Sequence, residues 1–109
     1  MFTVLYRWRI KPELEKQFVE SWSEITRHYL DNFEGALGSR LHRGSDGFWY
    51  AYAQWSSDEH RQNAFQNRLN LPAREKLMAA IEESFAEIRL EIVSNFLQTP
   101  EINESDLPK

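Results

Sequence analysis

The order of periodicities along this chain predicts an α+β domain of the ferredoxin-like, split β-α-β kind, with an antiparallel sheet and helices on one face. Three observations carry that prediction. Alternation with a period of two opens the chain and flanks Gly44-Ser45-Asp46-Gly47 on both sides. Stretches with a period near 3.6 separate the first and last of these runs from the middle pair. The third observation is that the middle of the sheet is apolar on both faces: between Phe48 and Trp55, the set Phe48, Tyr50, Tyr52 and Gln54 alternates with Trp49, Ala51, Ala53 and Trp55. A sheet with two such faces needs two covers. The chain's own helices supply one, and a second copy in a two-fold homodimer is the expected source of the other.

Each element follows from local signals. Phe2, Val4, Tyr6, Trp8 and Ile10 alternate with Thr3, Leu5, Arg7 and Arg9 as the first strand. Pro12 suits a first helical position and acidic residues follow it, so the first helix is expected from there to about Asn32. Leu14, Phe18, Trp22, Ile25 and Tyr29 form its inward stripe, while Glu13, Lys16, Glu20, Glu24, Arg27 and Asp31 read as a solvated flank. Gly35 is expected to close the helix, and Leu37, Ser39 and Leu41 alternate with Gly38, Arg40 and His42 as the second strand. Asp46-Gly47 favours a tight hairpin into the third. Ser56 and Glu59 have capping-box spacing and start a short helix carrying Ala64, Phe65 and Leu69, which Asn70-Leu71-Pro72 interrupts. A further helical segment from Pro72 presents Leu77, Met78, Ile81 and Phe85, and Ile88, Leu90 and Ile92 against Arg89, Glu91 and Val93 give the last strand. Residues 1–97 thus form the domain, and 98–109, polar and bearing Pro100 and Pro108, read as a mobile tail or an arm that orders only on a partner.

A chain of 109 residues supports one core, and four Trp, four Tyr and seven Phe are ample material for it. The net charge of -4, with basic residues scattered rather than striped, argues against nucleic acid and against an anionic membrane surface. The absence of cysteine excludes disulfides, thiolate metal sites and thiol nucleophiles together. No signal-like N-terminus and no apolar stretch of spanning length are present, so the expected location is cytoplasmic.

Several short segments together carry a family likeness. Leu5-Tyr6-Arg7-Trp8-Arg9-Ile10-Lys11-Pro12, Phe18-Val19-Glu20-Ser21-Trp22, Leu37-Gly38-Ser39-Arg40-Leu41-His42 and Tyr50-Ala51-Tyr52-Ala53-Gln54-Trp55 resemble the antibiotic biosynthesis monooxygenase family over roughly residues 3 to 95. The resemblance implies a dimeric α/β barrel, two ferredoxin-like protomers with their sheets face to face. Better-known relatives oxidise flat aromatic polyketides with dioxygen and neither metal nor flavin, others degrade haem, and others have no assigned activity. The haem-degrading branch uses an asparagine near the first strand and, in the second helical region, a tryptophan and an iron-binding histidine. Here the first strand has no Asn, Phe65 stands where the helical Trp would lie, and Arg74 to Phe85 contain no His. No cofactor is therefore expected. Nor is a metal, because His28, His42 and His60 fall on different elements with no ligand spacing.

A substrate pocket is expected between the first helix and the sheet, with Trp22, Tyr29, Tyr52 and Trp55 as binding residues. Aromatic residues at helical spacing also fit plain packing, but a buried phenol needs a hydrogen-bond partner and can orient a substrate oxygen. Arg40 and His42, two apart on one strand face, put a cation beside a group that exchanges protons near neutrality, and they are the candidate catalytic pair. The same two residues also fit a sheet edge or pairing with Glu91 or Asp46. His28 falls off the inward stripe and reads as solvated. The expected activity is a cofactor-independent monooxygenase on a small aromatic or polyketide-like substrate, with His42 as base, Arg40 stabilising the enolate and Trp22 stacking on the ring. The alternatives are a non-catalytic dimer that binds a hydrophobic metabolite, or a proton-transfer isomerase on the same fold.

Overall fold

The first strand, β1 (Phe2–Ile10), is the axis of the domain, since it pairs with three of the other four strands described. The computed structural model describes residues 1–67 and 71–98; the readings of Leu69, Asn70 and the tail beyond Gln98 concern positions outside these. A 3-10 turn (Pro12–Leu14) leads into α1 (Glu15–Asn32), followed by β2 (Ala36–Arg43) and β3 (Trp49–Trp55). Then come α2 (Asp58–Gln66), α3 (Pro72–Ala80), β4 (Ile81–Ser84) and β5 (Ile88–Leu90). All pairings are antiparallel, in the order β2-β3-β1-β4, with β5 continuing along β1 beyond β4. This is the expected α+β fold: among the described residues, an open antiparallel sheet with three α-helices.

Three local expectations are corrected. The helical pattern through Ile81 and Phe85 stops at Ala80, where Ile81 turns extended and pairs with Ile10. The free edge of β1 outcompetes the helix there: the Lys11 N–H donates to the Ala80 carbonyl at 2.9 Å, and the Phe85 N–H donates to the Arg7 carbonyl at 3.1 Å. A register shift between Arg9 and Ile10 lies within the β1–β4 pairing, and the last strand, β5, pairs with β1 only from Ile88 to Leu90 rather than running on to Val93. The α2 cap is Ser57, not Ser56; its hydroxyl accepts the His60 N–H at 3.2 Å. That cap seats His60 over Gly35, where a Cβ would come within 2.4 Å of the imidazole and φ is +83°, so glycine is required by close approach as well as by backbone conformation.

The two faces of the sheet differ in kind. On the helix side, Phe18 is fully buried and stacks edge-on against Trp8 at 5.4 Å and Trp49 at 5.6 Å, with Ile10 and Ala80 completing the core. On the helix-free side, Arg7 lies over the rings of Phe48 and Phe85, at 5.0 and 4.2 Å, and Arg9 lies over Phe48 at 4.8 Å. Leu5, Tyr50 and Tyr52 are half-buried there and Ile88 is exposed. The helix-free face is thus an apolar strip edged by guanidinium groups.

Candidate functional site

The packing that fills the Trp49 end of the sheet leaves space at the other end. Along β3 the large Trp49 and Trp55 are separated by Ala51 and Ala53, whose methyl groups cannot reach α1. A cavity of about 260 Å³ lies over those alanines, between the sheet, α1 and the start of α3. Trp22 and Tyr29, two helical turns apart on α1, face Trp8 and Trp55 across it. Tyr29 is fixed by edge-on and tilted contacts to Trp55 at 5.9 Å and Phe65 at 5.8 Å. The site is a flat slot with aromatic walls.

Three of the six expected site residues, Trp22, Tyr29 and Trp55, line this cavity; Tyr52, Arg40 and His42 do not. The correction follows from the pleat. Arg40 pairs with Tyr52 and His42 with Tyr50, so these four share the helix-free face, while Ser39 between the strand partners faces the cavity. Arg40 and His42 are both exposed, and Tyr52 accepts a hydrogen bond from Gln54 Nε2 at 3.3 Å. The spacing of two that pairs them is the same spacing that carries them away from the slot.

The profile of the antibiotic biosynthesis monooxygenase family matches residues 1–80. The chain belongs to that family. Solved structures with the same fold include Rv0793 of Mycobacterium tuberculosis, with 12% identity, a TM-score of 0.69, and coverage of 88% of this chain and 98% of that one. SnoaB, a cofactor-independent oxygenase from Streptomyces nogalater, has 16% identity, a TM-score of 0.71, and coverage of 89% and 97%. A conserved protein from Methanosarcina mazei has 11% identity, a TM-score of 0.69, and coverage of 82% and 89%. No curated protein matches the sequence.

In this family member the polar groups at the slot are ones that the periodicities concealed. Tyr6 counts as apolar in the strand pattern, yet its phenolic oxygen accepts from Arg61 Nε at 3.2 Å and Nη2 at 3.1 Å. Arg61 is only 4% exposed and also holds Glu87 and Asp58, so α2, β1 and the approach to β5 meet on one cation. Burial pushes the Tyr6 phenol above its usual range, and Arg61 only partly offsets this. Burial pulls the Arg61 guanidinium down, but its bonds to Tyr6 and Glu87 prevail and hold it above its ordinary value. Spacing contained the clue: Arg61 precedes Ala64 and Phe65 by three and four residues and so shares their inward face.

His28 is a second correction. It is half-buried rather than solvated, lines the cavity, and packs edge-on against Phe33 at 5.9 Å. Arg74, in the first turn of α3, also lines it. Among the described residues lining the cavity there is no carboxylate. Nor do the described residues contain a cluster of three or more groups able to hold a metal ion. No described helix is long and apolar enough to cross a membrane.

Proposed function

We propose that this protein is a cofactor-independent oxygenase acting on a small, flat aromatic or polyketide-like molecule held in the slot, and that it works as a two-fold dimer. The observation that carries the reading is the aromatic-walled cavity over Ala51 and Ala53 in a chain of this family. That SnoaB, which shares the fold, is a cofactor-independent oxygenase supports it. Trp22, Tyr29 and Trp55 would sandwich the ring and exclude water.

The chemistry fits a site without a redox group, because an ionised anthrone or quinol is electron-rich enough to reduce dioxygen itself. In an anthrone, the ring CH2 loses its two hydrogens, one atom of dioxygen becomes the new carbonyl oxygen and the other leaves as water. The protein's share is to hold the anion in a dry slot beside dioxygen. Arg40 and His42 lie on the other face of the sheet and do not reach a ring held in the slot, so the slot relies on its own polar groups.

Purified protein incubated with anthrones and quinols should consume dioxygen above the buffer rate, and Trp22→Ala should reduce kcat/KM by at least about tenfold through lost stacking. Uptake no faster than in buffer across the panel would overturn the oxygenase reading. A second reading, a non-catalytic dimer that stores a hydrophobic metabolite, draws support from the lack of any carboxylate base among the described cavity residues. It is distinguished by tight binding without oxygen uptake.

A further inference from the structure

We propose that the slot takes its ligand as an anion, with Arg74 as counter-charge and Tyr6 and His28 as oriented donors to its oxygens. This names the ligand class of the site already proposed and rests on that reading.

Each of the three groups is left with a donor that no described residue uses. Arg61 has only N–H groups, so at Tyr6 the phenolic oxygen must accept, and its own proton is directed elsewhere. Nothing among the described residues accepts it, and Tyr6 is part of the cavity wall. Because burial raises the phenol's pKa, the group stays protonated and remains a donor at neutral pH.

At His28 the tautomer follows from its neighbour. Asn32 Nδ2 donates to the His28 carbonyl at 2.8 Å, which fixes which end of the amide is nitrogen. The same nitrogen lies 3.1 Å from His28 Nδ1, so Nδ1 accepts and Nε2 carries the proton. That Nε2 is buried and has no hydrogen-bond partner. A buried donor left without an acceptor is costly, and a ligand oxygen that accepts from it removes that cost.

Arg74 is half-buried and lines the same cavity from α3, and among the described residues no carboxylate lies within ion-pair distance of it. Helix stability does not account for it, since a cation in the first turn of α3 is opposed by the helix dipole. One cation, two donors and no carboxylate make a site that prefers acceptor oxygens bearing negative charge. A phenolate, an enolate or a carboxylate on a flat ring has that chemistry. In such a site an acidic substrate loses its proton to solvent water and enters as the anion, because the anion binds better, with no protein base required.

The test compares two ring ligands of nearly the same shape, naphthalene-2-carboxylate and naphthalene-2-carboxamide, by equilibrium dialysis at neutral pH against the full chain. The carboxylate should bind at least about tenfold more tightly than the amide. In Arg74→Met that preference should fall to near one while the amide's affinity is kept, and in Tyr6→Phe both ligands should weaken severalfold. Equal affinity of the two ligands in the wild type, or a preference that survives Arg74→Met, would overturn the inference and leave the aromatic slot intact. Binding of neither ligand would overturn both. The wild-type comparison depends on no variant folding.

Discussion

Arg61 shows why the polar centre of this domain hides from pattern reading. A guanidinium that is 4% exposed is costly to bury, and it persists because Tyr6, Glu87 and Asp58 surround it. Asp58 is a local partner, but Tyr6 and Glu87 come from positions 55 and 26 residues away, distances over which no local spacing speaks. Removing one partner of a buried pair typically costs about 3–5 kcal/mol. The side chains of Glu87 and Asp58 are 40% and 36% exposed, so water can rehydrate them once the cation is gone. Arg61→Met should therefore sit near the low end, at about 3 kcal/mol. Urea unfolding monitored by tryptophan fluorescence would measure it as a lower midpoint at unchanged slope. A loss under about 1 kcal/mol would mean that the cation contributes little to holding α2 on the sheet.

At the scale of elements, β3 decides where the cavity lies, through the alternation of Trp and Ala on its helix side. A Leu at a buried Ala normally overpacks a core and costs about 1–3 kcal/mol. Ala53 is 7% exposed but borders empty space, so the added carbons of Ala53→Leu should enter the cavity at little cost or with a small gain. The variant should keep its thermal midpoint within a few degrees while losing ring binding. A drop in midpoint like that of an ordinary core overpacking would show that the space closes in solution. The strands and α1 were legible because long periodic runs and strong turn residues agree, as at Asp46, whose carboxylate accepts the Phe48 N–H at 3.0 Å to close the hairpin. The α3 to β4 boundary was not, because Ile81 and Phe85 suit either period and the choice was made by the edge of β1. In the site, the aromatic walls were readable from helical spacing. The placement of Arg40 and His42 away from the cavity is not legible, because a spacing of two reveals a shared face but not which face the helices cover.

For the whole molecule, the open question is what covers the helix-free face. Leu5 sits at its centre, with Tyr52 on one flank in β3 and Ile88 on the other in β5. Arg7, Arg9 and Arg40 edge the strip, and among these only Arg9 has a carboxylate partner among the described residues, Glu83 at 3.7 Å. A face of this composition suits a second copy better than lipid or nucleic acid, because its apolar centre needs burial while its cations remain within reach of the acidic residues of a chain whose net charge is -4. In a two-fold stack each strip meets its own image, so one substitution acts twice. Tyr52→Glu would place two like charges in the same desolvated layer, at a cost of several kcal/mol and hence a dissociation constant raised at least about a hundredfold. Sedimentation equilibrium at micromolar concentration should find the wild type as a dimer and the variant as a monomer. Since Trp22, Tyr29 and Trp55 lie on the opposite side of the sheet, the monomeric variant should still bind an aromatic ring. A wild type that sediments as a single protomer would mean that Arg7 and Arg9, folded over Phe48 and Phe85, are cover enough for this face.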